Sequence, residues 1–333
     1  MELSKTLRFR NQLIGIAVIW ITFHHSGFLV ISPASYAFKS FGYGGVDFCV
    51  FASGIGCYFS LEKDPDILRF MKRRIQRLGP TYLCFIIPWL LWKQTVVELP
   101  VHSILGNILG LEAYVSWQYI FNWYIGGLIL YYICLPYFKR ITDSCTSFRY
   151  DLLVCLALIL LGVPFWGVHN SLIILTRLPV LYAGVVYAKL AKQGYTLKAR
   201  DLIALGAAAI LGTVALIIMQ EKASDLLWFW GLRWSLFLLI VPGVSVFVAV
   251  LAEKLDTVKY LRIINSVLRT AGVYSFELYL VHCFLYEDLM PLLPQIPSVL
   301  YNNILWVATI PAVVFCTYAL NRITSAIGRM IIR

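Results

Sequence analysis

Two neighbouring histidines, His24 and His25, stand inside a long apolar stretch of the chain. An imidazole of ordinary pKa, about 6.5, takes up and releases protons at neutral pH. Asp47, Arg177 and Arg233 stand in other apolar stretches. An ionisable group in such a setting is costly, faces the interior of a bundle, and marks function by default. At about 1.5 Å per helical residue, the two histidines fall roughly 9–11 Å below one end of their stretch. Asp47, Arg177 and Arg233 fall at a similar depth from the same side. Five costly groups at one level predict a single buried cavity open to that side; the plainer alternative is that the arginines snorkel to the interface and Asp47 pairs with one of them. His282 stands in a later stretch and is either a helix–helix hydrogen bond or part of the site; Glu277 reads as structural.

A second group is basic. Lys63, Arg69, Lys72, Arg73, Arg74 and Arg77 crowd one short segment, a pattern that suits either anionic lipid headgroups or a phosphorylated ligand. Arg74 and Arg77, three apart, share a helix face. A phosphate-attracting rim on one side and a histidine cavity towards the other predict transfer between the two. Coenzyme A has the shape and charge for it: a phosphorylated head and a long thin arm ending in the reactive group.

The elements that must position these groups are transmembrane helices. Hydrophobic residues make up 60% of 333 positions and charged residues 14%, too apolar a chain for one water-soluble core. A span needs about 20 mostly apolar residues, and ten stretches qualify: 12–31, 43–60, 77–97, 119–138, 151–168, 171–188, 201–220, 227–250, 271–290 and 298–321. Of the 28 lysines and arginines, all but Lys39, Lys93, Arg177, Lys222 and Arg233 fall on the side that holds the N-terminus. That asymmetry places both termini in the cytoplasm. The predicted fold is therefore all-α, a polytopic bundle of about ten transmembrane helices in the inner or plasma membrane. It forms a single domain over residues 1–333, with no appended soluble domain. The net charge of +11 serves topology and membrane lipid, and no nucleic-acid partner is expected. The eight cysteines lack metal-site spacing and read as small core residues, so no metal is expected. Gly42, Gly44, Gly45, Gly54 and Gly56 read as close helix packing. The first stretch is too long and too polar in its middle for a cleaved signal peptide.

Specific motifs give a resemblance. Gly15–Ser26, ending in His24-His25-Ser26, resembles the opening helix of acyltransferase family 3. So do Gly44-Gly45-Val46-Asp47 through Ser53-Gly54, the Arg74-x-x-Arg77 pair followed by Pro80 and Tyr82, Asn122-Trp123-Tyr124-Ile125-Gly126 with Tyr131 and Pro136, and Ser275 through Tyr279 to His282. Five motifs in order cover nearly the whole chain.

The resemblance implies acyl transfer, most often acetyl, from cytoplasmic acetyl-CoA to a hydroxyl of an extracytoplasmic or cell-surface polysaccharide. The partners implied are acyl-CoA, a glycan acceptor and glycan-assembly proteins. It places His25 as the catalytic histidine, with His24 the near alternative. Either the imidazole takes the hydroxyl proton while Asp47 orients it, or it carries the acyl group covalently. Arg73, Arg74 and Arg77 would bind the donor phosphates. Arg177 or Arg233 would face developing negative charge. Trp117, Trp123 and Tyr124 would stack on sugar, or else belong to an interfacial aromatic belt, with His282 beside the substrate. One position departs: Ile14 stands where family members commonly carry arginine or lysine, and Arg10, one turn earlier, is the candidate substitute. The rival reading is a transporter of a small polar solute, which would show an internal repeat; none is evident.

Overall fold

Backbone polar groups in an apolar setting must be satisfied locally, and helices do this within one segment. In the computed structural model, residues 2–29, 32–115, 122–145, 147–162, 169–222, 231–293 and 298–331 are described. These are helical almost throughout, with no strand among them; one isolated bridge joins Glu2 to Thr196. The helices, in order, are α1 (Leu3–Leu7), α2 (Arg10–His25), α3 (Pro33–Ser40), α4 (Gly45–Lys63), α5 (Ile67–Val96), α6 (Val101–Leu109), α7 (Glu112–Val115), α8 (Trp123–Ser144), α9 (Phe148–Gly162) and α10 (His169–Leu175). They continue with α11 (Leu178–Lys192), α12 (Ala199–Lys222), α13 (Leu232–Ser235), α14 (Phe237–Thr257), α15 (Arg262–Val273), α16 (Ser275–Cys283) and α17 (Val299–Ile331).

In its described part, each of the ten apolar stretches lies mostly on helix, the first of them leaving it after His25. Among the described residues, five helical segments are long and apolar enough to cross a membrane on length and composition: Pro33–Lys63, Asn170–Lys192, Ala199–Lys222, Arg233–Thr257 and Val299–Gly328. The protein is a helical membrane protein. Ala199–Lys222 has a mean hydropathy of 2.6, yet only 11% of its most apolar window is buried. An apolar helix so bare is stable only against lipid. Among the described residues, five short helices fall between or beyond the apolar stretches: α1, α3, α6, α7 and most of α15. Ser32 caps α3, accepting from the Ser35 amide, with Pro33 at the first helical position. Gly110, at φ 70°, ends α6 in the left-handed region that glycine enters without cost.

The centre of the bundle is α2, α4 and α11, with α14, α15 and α16 around them. Glycines set how closely these cross. A Cβ on Gly54 would meet the Leu181 carbonyl, and one on Gly184 the Phe51 carbonyl, so α4 and α11 touch backbone to backbone. Gly15 and Gly272 do the same for α2 and α15, facing the Leu268 and Asn11 carbonyls. Gly45 lies against the Ala17 carbonyl, so α4 starts near the His25 end of α2 and runs back towards Arg10. Helix α5 then returns, bringing Trp89 and Lys93 to the His25 end.

Candidate active site

His25 is the last residue of α2, which stops at Ser26 rather than continuing through residue 31. Its Nδ1 lies 2.5 Å from Glu287 Oε1, with the two side chains 16% and 27% exposed. A ring whose Nδ1–H is held by a carboxylate presents the Nε2 lone pair for proton transfer. Glu287 belongs to a π-helical turn, Phe284–Leu289, that follows α16. Its neighbour Asp288 accepts from Trp89 Nε1 and from Lys93 Nζ, both at 2.8 Å, anchoring that turn to α5. His282 is fully buried; its ring centroid is 5.3 Å from that of His25, and its Nδ1 donates to the Leu278 carbonyl at 2.7 Å.

The other expected groups form an adjoining cluster. His24 turns towards the α3–α4 junction, donating from Nδ1 to the Lys39 carbonyl at 2.9 Å, with its ring edge-on to Tyr43 at 5.9 Å. Tyr43 carries the Arg233 guanidinium over its face at 4.4 Å, and Arg233 also donates to Gln220 at 2.5 Å. Asp47 and Arg177 are buried together, Oδ2 to Nε 3.3 Å, and Arg177 also donates to the Ile173 carbonyl at 3.0 Å. Trp123 and Trp234 sandwich that guanidinium, at 4.9 and 5.4 Å.

Two roles from the sequence change here. Asp47 spends its charge on Arg177, so it does not orient a histidine; Glu287 holds that place. Trp123 is buried over Arg177 rather than open to a sugar ring. Tyr124 packs on Tyr279, at 5.2 Å, in the wall of an internal cleft. Trp117 lies outside the described residues.

That cleft, of about 250 Å³, opens among Arg10, Arg74 and Arg77 and follows α2 through Ile14 and Val18 to Ile21. Its end is one turn short of His25. Opposite α2 it is lined by Cys49, Ser53 and Gly56 of α4. Arg10 donates from Nε to the Ala52 carbonyl at 2.7 Å, and Gly56 leaves room for its guanidinium: a Cβ there would lie 3.0 Å from Nη2. Arg74 donates to Ser60 Oγ at 2.8 Å and lies over the Phe70 ring at 5.0 Å. Arg73 does not line the cleft. It pairs with Asp64 at 2.6 Å, and its hydrogen bond holds that carboxyl below the usual carboxylate range. The motif residue Asn122 fixes the start of α8, donating to Asn107 Oδ1 at 2.8 Å and to Tyr82 at 3.1 Å.

Sequence reasoning passed over Glu287 and Cys283. The signal for Glu287 was present: two adjacent carboxylates near the end of an apolar stretch, five residues beyond a histidine.

The family model for acyltransferase family 3, described as an acyltransferase domain, matches residues 11–322. The chain belongs to that family and is a membrane acyltransferase. No curated protein and no solved structure matches it.

Proposed function

We propose that the protein is an O-acetyltransferase of the plasma membrane, with about ten spans and both termini cytoplasmic. It would move acetyl from cytoplasmic acetyl-CoA to a hydroxyl of a cell-surface polysaccharide, alongside glycan-assembly proteins. The observation that carries this reading is the cleft: three arginines at its mouth, a narrow body along α2, and an end one turn from His25.

In this reading Arg10, Arg74 and Arg77 hold the donor phosphates by charge-assisted hydrogen bonds. Arg10 supplies the cation that Ile14 does not. The pantetheine arm lies in the cleft and brings the thioester towards His25. His25, its Nδ1–H held by Glu287, takes the proton of the acceptor hydroxyl on Nε2 as the oxygen attacks the thioester carbonyl. Glu287 stabilises the imidazolium that results. The carbon–sulfur bond then breaks, the CoA thiolate leaves through the cleft and is protonated in the cytoplasm, and His25 releases its proton to solvent on the acceptor side. Asp47, Arg177 and Trp123 brace the site from the side.

The test is the ester-linked acetyl content of surface polysaccharide in a deletion strain complemented with wild type, His25→Ala, or the Arg74/Arg77 double alanine variant. Loss on deletion with rescue by wild type alone is the expected result. Unchanged acetylation on deletion, or full rescue by His25→Ala, overturns the reading and makes solute transport the leading account.

A further inference from the structure

Cys283 has no part in the transfer just described, yet its thiol is buried within reach of both histidines. The ligand atoms of His25, His282 and Cys283 all lie within 4.8 Å of one another, and among the described residues this is the one such grouping. Cys283 Sγ is 3.5 Å from His282 Nε2.

The surroundings of the two rings decide what this grouping can hold. A histidine that binds a metal nearly always gives its other ring N–H to a carboxylate or a backbone carbonyl, which fixes the tautomer and aims the lone pair. Both arrangements occur here. His25 gives Nδ1–H to Glu287, and His282 gives Nδ1–H to the Leu278 carbonyl. Each ring therefore keeps an Nε2 lone pair for a ligand, and that of His282 already faces the Cys283 thiol. Two imidazole nitrogens with one thiolate form a three-ligand set for a borderline-soft divalent ion, with the fourth position left to water. Tetrahedral zinc sets its ligands about 3.3–3.8 Å apart, so the group closes by about 1 Å, within the range of side-chain rotation. The approach is the part-exposed side of His25 and Glu287.

We infer that His25, His282 and Cys283 form a site for Zn²⁺ or a chemically similar ion, and that its occupancy blocks acyl transfer. Binding forms one metal–sulfur and two metal–nitrogen bonds and releases the thiol proton to solvent; no oxidant or reductant is needed. The bound ion takes the His25 lone pair that would otherwise accept the hydroxyl proton, so metal binding and catalysis exclude each other. The site itself goes beyond the transfer reading, while the block rests on it.

The experiment uses the purified full-length chain, stripped of metal by chelator and titrated with Co²⁺ as a spectroscopic probe and with Zn²⁺ as an inhibitor. Wild type is expected to take one equivalent of Co²⁺ with a thiolate-to-cobalt charge-transfer band in the near ultraviolet. Cys283→Ser keeps acyl transfer, loses the band, and needs at least about tenfold more Zn²⁺ for the same inhibition. Cys283→Ala, checked for a monodisperse elution profile, guards against misfolding of the serine variant. No band in wild type, or a band that survives in both Cys283 variants, overturns the site. A full band with transfer untouched by Zn²⁺ leaves the site standing and overturns the role of His25 as base.

Discussion

In the proposed mechanism Glu287 acts through His25, so its loss should strike turnover rather than donor binding. His25→Ala is expected to lower the transfer rate on the order of 10²–10⁴-fold, and Glu287→Gln by a smaller factor with the KM for acyl-CoA unchanged. Steady-state kinetics on both variants check this. Arg10→Ala should do the opposite, raising that KM by about tenfold or more, since a charge-assisted hydrogen bond contributes about 1.5–3 kcal/mol, with kcat little altered. Ile14 lies on the same cleft wall one turn along, so Ile14→Arg should recover part of the loss when added to Arg10→Ala. Failure of that rescue would place Arg10 outside donor binding.

Between helices, backbone approach and one buried charge pair carry the packing. Gly272→Ala drives a Cβ into the Asn11 carbonyl and should cost about 1–3 kcal/mol, seen as a lower Tm in detergent. Gly206→Ala, facing open space on α12, should leave Tm unchanged or raise it slightly. Removing Asp47 or Arg177 alone strands a buried charge and should cost about 3–5 kcal/mol; the double variant should cost less than the sum, which a double-mutant cycle measures. Hydropathy found the helices of the core but passed over α1, α3, α6, α7 and most of α15, because the first four are short and α15 sets apolar pairs (Ile263-Ile264, Val267-Leu268) between polar ones and never forms a long apolar run. Depth arithmetic placed His25, Asp47, Arg177 and Arg233 at one level. It carries no information on angle about the helix axis, so it did not choose between a histidine and an arginine as the partner of Asp47, and the fold gives it Arg177. Glu287 escaped because its approach to His25 depends on a π-helical turn, which no apolar period announces.

For the molecule as a whole, the asymmetry of basic charge was legible from composition, and the path joining the two ends was not, since a cleft arises only when α2, α4, α5, α8 and α16 close around it. Sidedness is open to direct test: with both termini cytoplasmic, cysteines introduced in the 64–66 connection should react with an impermeant thiol reagent only from the cytoplasmic side. Those placed in α3 should react only from outside. Arg10 and His25, at opposite ends of α2, are separated by about 22 Å of helix rise. On the proposed mechanism, acyl transfer over that separation is an electrical event. The acceptor hydroxyl would shed its proton on one side, and the CoA thiolate would collect one on the other. Unless that proton itself returns through the protein, each turnover carries one positive charge outward, against an inside-negative potential that opposes it by about 2.3 kcal/mol per 100 mV. In proteoliposomes, transfer should therefore slow as a potassium gradient with valinomycin makes the donor side more negative, and quicken when the gradient is reversed.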